Sequence, residues 1–384
     1  MVRRHPAWPV LSLIPVHIRA AAARQPIRPA EESIMKAQRS TVLSRGHSIA
    51  RRHTLGAIGA AAATLAAPAL AQSTGRLRYL KPIVAGLNGK EGDPSYISIA
   101  RIPQILKDKY EVDLELRVHP SSTLGNDLQQ LEAVQSGFID ITSNVTGQFA
   151  QFNQSFTFVD LPYAITSWDM ANRLFASDLW KEQARKFEAA TPLVVLPPVG
   201  AGGFRLLWNS KRPLPSPDAV KGLKFRTTGS PAEIALVRAW GGSPTPLAWT
   251  ETYNGLKNGL IEGMHVQPIW TFNFKMHEVL RYATAVDAIF AVQFQVMNRN
   301  TFNAMPAPIR ERFMKAAAEA AAEANALDRK LEADFTARLK GEKMEIYVPS
   351  AAEKKLWMTR GESVWETAAK SIDKSVLDRM VALR

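Results

Sequence analysis

The sequence predicts an α/β protein of two domains behind a leader. Three observations carry this. Strand-like and helix-like blocks alternate from Leu77 onward, the order that builds sheets covered by helices. The chain has 384 residues, more than the ~250 to 300 at which a single hydrophobic core stops growing. The first seventy or so residues differ in composition from all that follows.

In order along the chain, Arg51-Arg52-His53-Thr54-Leu55 precedes an uncharged Ala-rich stretch, Gly56 to Leu70, which ends in Ala69-Leu70-Ala71 before Gln72. A basic n-region, a short apolar h-region and a small-x-small site make a signal peptide. The stretch is short of the roughly 20 residues that span a bilayer. The paired arginines suggest the twin-arginine route, and the missing Phe after them leaves the Sec route open. Residues 1 to about 34 have no periodicity, and Met35 offers an initiator nearer the h-region. The expectation is a leader over 1–71, a mature chain from Gln72 that is exported to the periplasm, and no membrane span after cleavage.

Arg76 to Val84 reads as a first strand, followed by a loop rich in Gly and Asn (Gly86, Asn88, Gly89, Gly92) and a helix from Ile97 to Lys109. Val112 to Val118 alternates with period two. Asp127 to Ser136 is amphipathic and closed by Gly137, which suits the left-handed residue after a helix. Phe138 to Thr142 is a short strand, Trp168 to Ala189 helical, and Leu193 to Pro197 and Gly222 to Thr227 are strands. Helices follow at Pro231 to Trp240, Thr250 to Asn258 and Pro308 to Leu339, the last closed by Gly341. The alternation implies mostly parallel sheets. With no repeat or low-complexity linker, several crossovers join the domains.

The formal charge of +13 would suit a nucleic-acid partner if it were spread over the chain. Residues 1–71 hold ten Lys/Arg and two acids, leaving 38 basic and 33 acidic residues from position 72, a net of +5. No dense basic run with interleaved aromatics appears, which argues against nucleic acid. The absence of Cys excludes disulfides, thiolate metal sites and a cysteine nucleophile. Beyond the leader only His119, His265 and His277 remain, and none stands at metal-ligand spacing from another. No Gly-x-Ser-x-Gly elbow occurs. Gly200-Ala201-Gly202-Gly203 follows a strand but runs on into Phe204-Arg205 as strand, so the dinucleotide fingerprint is incomplete. Gly86 to Lys90 fails the phosphate-loop pattern. No cofactor or metal is implied.

Two arginines stand where open α/β sheets place ligands, at strand ends and the loops after them. Arg205 follows the Gly-rich turn, and Arg226 ends Leu223-Lys224-Phe225-Arg226 before Thr227-Thr228-Gly229-Ser230. A planar guanidinium grips a carboxylate bidentately, so two convergent Arg suit an organic acid. Each alone is equally compatible with a surface ion pair. Trp249 can wall a ligand or fill core. Ser143, Asn144 and Thr146, after a strand, can donate hydrogen bonds or serve turn chemistry.

The order of motifs resembles that of the periplasmic solute-binding proteins of TRAP transporters, the DctP-like family. Its residues are Leu124-Gly125-Asn126-Asp127 through Gly137-Phe138-Ile139-Asp140, then Asp160-Leu161-Pro162-Tyr163, Lys221-Gly222-Leu223-Lys224-Phe225-Arg226 and Gly242-Ser243-Pro244-Thr245-Pro246-Leu247. Tyr253-Asn254-Gly255-Leu256-Lys257-Asn258-Gly259-Leu260-Ile261-Glu262-Gly263 completes the series. The resemblance runs from about residue 77 to the end.

It implies a two-lobed periplasmic-binding-protein-like α/β fold, each lobe a mixed sheet flanked by helices, with a ligand cleft between them. Lobe I would hold 76–202 plus about 293–335, and lobe II 203–292 plus about 336–384. It implies capture of a small organic acid and its delivery to a membrane permease of small and large subunits. Arg226 matches the family's carboxylate-clamping arginine and Arg205 its second arginine; Trp249 falls where members place an aromatic. Family members follow acidic-Gly with Gln-x-Asn-Pro, whereas here Glu262-Gly263-Met264-His265-Val266-Gln267-Pro268 has one extra residue. Gln267 takes the Asn position, and His265 is either a ligand contact that charges at acid pH or a packed loop residue. Asn88, Ser143 and Asn144 complete the expected ligand set. The alternative is an exported lyase or hydrolase on a carboxylated substrate, with His265 or Glu262 as general base.

Overall fold

A computed structural model describes residues 76–368 and 370–384. The expected leader and its export route lie outside the described residues.

Twelve strands form two six-stranded sheets. The first contains β1 (Leu77–Leu87), β2 (Val112–His119), β3 (Ile141–Val145), β4 (Leu193–Val195), β5 (Val199–Phe204) and β11 (Phe290–Asn298). The second contains β6 (Leu206–Asn209), β7 (Lys224–Thr227), β8 (Ser243–Pro246), β9 (Gly263–Val266), β10 (Tyr282–Thr284) and β12 (Glu345–Tyr347). The first runs β2-β1-β3-β11-β4 with β5 also paired to β11; the second runs β12-β10-β6-β9-β7-β8. Both sheets are mixed, as the two-lobed fold implies, not mostly parallel. β11 returns antiparallel to β3, β4 and β5, and β6 is antiparallel to β9 and β10.

The chain passes between the sheets at Arg205, between β5 and β6, and again between β10 and β11. A third connection is the helix Ala307–Gly341, unbroken through the expected division near residue 335. Its Ala face (Ala316, Ala317, Ala320) packs on the first sheet's outer core with Ile83, Ile99 and Ile105. Its later residues Phe335 and Leu339 join Trp208 and Met264 of the second sheet. The C-terminal residues also divide. Helix Ala351–Ala368 packs beside Pro231–Ala239 of the second sheet's half, while Arg379 of helix Lys374–Ala382 pairs with Glu182 on helix Asp178–Ala190 of the first.

Local signals explain the boundaries. Asn126 and Gln129 form a reciprocal capping box that starts Asp127–Ser136, and Gly137 ends it at φ 79°, as the pattern requires. The helix expected from Ile97 to Lys109 is two, Pro94–Ala100 and Ile102–Tyr110, split ahead of Pro103, whose missing N–H suits a first turn. Likewise Ser177 divides Trp168–Ala176 from Asp178–Ala190 by capping the second at Trp180.

Candidate functional site

A cavity of about 420 Å³, partly open to solvent, lies between the two sheets. From the first sheet come Asn88 just after β1, Asn144 and Val145 at the end of β3, and Gln293 of β11. The second half presents Arg205 ahead of β6, Arg226 and Thr228 at the end of β7, Val266 and Gln267 at the end of β9, and Trp249 and Trp270 at two helix starts. The parallel strands β1, β3, β7 and β9 thus all aim their carboxyl ends at one space, the position that open α/β sheets give to ligands.

Arg226 is 4% exposed. Its Nε donates to the Leu247 carbonyl at 3.0 Å, and its guanidinium carbon stands 5.5 Å from the centre of the Trp249 ring. Among the described residues, its two terminal nitrogens donate no hydrogen bond to protein. Arg205, also buried, has Nη1 3.1 Å from a carboxylate oxygen of Glu233. Glu233 in turn accepts from the backbone N–H of Thr228 at 3.0 Å and from the Thr228 hydroxyl. Burial pushes the Glu233 carboxyl up, and Arg205, Arg226 and Thr228 together hold it below the usual range. Glu233 therefore braces Arg205 from behind as a carboxylate.

Asp127, the first residue of its helix, lies on the same cavity wall within electrostatic reach of Arg226. It accepts from Asn88 Nδ2 and from Gln148 Nε2 at 2.6 Å, and it faces the Trp249 backbone N–H. Burial raises its carboxyl above the usual carboxylate range, against the opposing pull of Arg226 and these donors. Asn88 also donates to Asn144 and accepts from Gln130 at 2.7 Å. This amide network leaves three buried donors without a partner among the described residues: Arg205 Nε, Gln267 Nε2 and Trp249 Nε1. Buried donors are rarely left unmet, so their convergence around one cavity marks where a ligand's acceptors belong. The halves approach closely: a Cβ on Gly147 would lie 2.7 Å from Thr228 Oγ1 and 2.8 Å from Ser230 Cβ.

Of the residues expected from sequence, Arg226, Arg205, Gln267, Trp249, Asn144 and Asn88 line the cavity. Ser143 and His265 do not. The Ser143 hydroxyl donates to Gln293 Oε1 at 3.2 Å and so stands behind a wall residue. His265 is wholly buried on β9, with Nε2 3.2 Å from the Arg205 carbonyl and its ring 5.6 Å from Trp240. Burial, and then the Arg205 charge, push its imidazole down to about 3. The charged acid-pH ligand contact considered from sequence is therefore corrected to a neutral packed residue. Glu262, the other candidate base, bonds the Lys224 N–H at 3.1 Å outside the cavity wall.

Asp127, Gln148, Thr228, Glu233 and Gln293 were not expected. Asp127 is masked in sequence by its role in a helix first turn. Gln293 had a readable signal: it and Gln295 are polar residues two apart in an otherwise apolar strand, where buried alternation calls for a partner.

Two sheets flanking a cavity with two guanidinium groups on its wall suit the capture of an anionic ligand. A family described as bacterial extracellular solute-binding protein, family 7 (DctP), matches residues 85–371. The chain belongs to that family of TRAP-type solute-binding proteins, which are binding proteins and not enzymes. It is 28% identical over 284 residues to the C4-dicarboxylate-binding periplasmic protein DctP of Rhodobacter capsulatus, covering 72% of this chain and 81% of that one. It is 25% identical over 251 residues to the 2,3-diketo-L-gulonate-binding periplasmic protein YiaO of Escherichia coli, covering 65% and 74%. A TRAP periplasmic solute-binding protein from Bordetella bronchispeptica has the same fold at TM-score 0.75, 22% identity, and coverage of 79% and 100%. Among the described residues, no helix is long and apolar enough to cross a membrane.

Proposed function

We propose that the protein is the extracytoplasmic binding subunit of a TRAP transporter, capturing an organic acid through its carboxylate and handing it to the small and large permease subunits. The observation that carries this reading is Arg226: a buried guanidinium, held at one nitrogen by Leu247, with its outer nitrogens making no hydrogen bond among the described residues at the cavity wall. A carboxylate there makes two charge-assisted bonds. Arg205, Gln267, Trp249, Asn144 and Asn88 complete the contact set, with Ser143 supporting Gln293 from behind.

The two sheets act as lobes. A ligand that touches both favours the closed form by its differential affinity for it. Related structures support the class of ligand, since one from Shewanella oneidensis has bound succinate and one from Citrobacter koseri bound D-glucuronate. Export by the N-terminal leader to the periplasm belongs to the same reading.

The test is a thermal-shift screen against mono-, di-, keto-, aromatic and sugar acids, with mass spectrometry of the recovered ligand. An acid that raises Tm and returns unchanged supports capture. Failure of every acid to shift Tm, or conversion of one, would overturn the reading.

A further inference from the structure

We infer that the cavity selects a hydroxyl-bearing monocarboxylate over the dicarboxylate of matched length. This rests on the organic-acid reading and narrows it to a charge class.

The charge count sets an upper bound. Arg205 and Arg226 are the only cationic residues on the cavity wall among the described residues. Glu233, 1% exposed and 3.1 Å from Arg205, cancels one of the two charges. At most one positive charge is left. Asp127 on the wall can only subtract from it. So can Asp160, which lies behind Arg205 and accepts from the Thr146 hydroxyl. His265, beneath Arg205, adds none. One ligand carboxylate uses all the positive charge available, and a second would enter a buried site without a counter-ion.

The hydrogen-bonding groups favour the same class. Within electrostatic reach of Arg226, the wall presents a carboxyl, Asp127, among amides already engaged with one another. Nearby stand the unpartnered N–H groups of Gln267 and Trp249. A hydroxyl donates one bond and accepts others, so it meets Asp127 and these donors alike. A second carboxylate only accepts, so it meets the free donors but offers nothing to Asp127.

Calorimetry on the purified chain at pH 7.5 tests this with matched pairs: 4-hydroxybutyrate against succinate, D-gluconate against D-glucarate, and 4-hydroxybenzoate against terephthalate. In whichever pair binds, the monoacid is expected to be tighter by about tenfold or more. Asp127→Asn, checked for folding by its melting curve, should narrow that ratio, and Asp127→Glu should keep it. A diacid that binds as tightly as its monoacid partner overturns the inference while leaving carboxylate capture standing. So does a ratio that Asp127→Asn leaves unchanged. Should Asp127→Asn not fold, the wild-type ratio decides alone. Binding of no acid from any pair to a cooperatively melting protein removes the organic-acid reading and this inference with it.

Discussion

The guanidinium groups at 205 and 226 sit at equal depth but do different work. Arg226 keeps its outer nitrogens for the ligand, so Arg226→Ala should weaken binding by roughly 30-fold or more in calorimetry, the cost of one lost buried charged partner. Arg205 is committed to Glu233, with both side chains almost fully buried. Glu233→Ala leaves that charge bare and should cost about 3 to 5 kcal/mol of stability by denaturant melt. The arginines were legible because their type, at strand ends, has few purposes other than an anion. Glu233 was not, since an acid in a helix first turn reads as ordinary dipole chemistry. His265 shows the converse: an ionisable residue near a motif drew attention, but its chemistry is settled by burial, which sequence spacing does not report.

Among the elements, helix Asp127–Ser136 places a ligand-facing carboxyl in its first turn, so its cap also aims the site. Asn126→Ala should cost about 1 kcal/mol of stability and also lower ligand affinity, which thermal melts with and without ligand would separate. This helix was readable end to end because its caps are local in sequence. β11 was missed although Gln293 and Gln295 alternate with apolar residues, because the strands it pairs with lie far upstream in the sequence. The helices Ala351–Ala368 and Lys374–Ala382 escaped for a related reason: the first carries Gly361 mid-helix, where a Cβ would come within 2.8 Å of the Tyr163 ring. That glycine serves packing between distant segments, and locally it looks like a break.

Over the whole molecule, the two sheets meet at a latch and along β5. In the latch, Lys90 donates to the Asn273 carbonyl and lies 4.8 Å from the Phe274 ring, while Asn273 donates to Asp93 at 2.7 Å. Removing both arms in Lys90→Ala/Asn273→Ala should raise the ligand off-rate about tenfold in stopped-flow Trp fluorescence, because the loss falls on the closed form. β5 is braced, with the alternate N–H groups at Gly200, Gly202 and Phe204 taken by Asn325, Asp328 and Glu332 of one helix face. Gly202 (φ 102°) also has no room for a Cβ, which would meet Ile269 at 2.2 Å. Burial pushes the Asp328 carboxyl up to about 8. Its folded pKa therefore exceeds its unfolded one, so its contribution to stability is greatest in acid and is lost as pH rises toward and through 8. Melts should show about 1 kcal/mol lost between pH 7 and 9 on this account, and Asp328→Asn should remove that part of the slope. The sheet order and the helix face that braces β5 were beyond single-sequence reading, since both are pairings between segments that do not adjoin in sequence, the latter more than a hundred positions apart.

The position of β11 governs when this chain can fold. β3 and β4 both find their partner in a strand that begins at Phe290, so a chain still growing toward that point exposes unpaired backbone on both. Such edges invite pairing with other chains. A fragment ending before Phe290 is expected to aggregate, even though it contains nearly every residue of the cavity wall. The native protein must be protected from its own half-made sheet until about three quarters of its length has been synthesised.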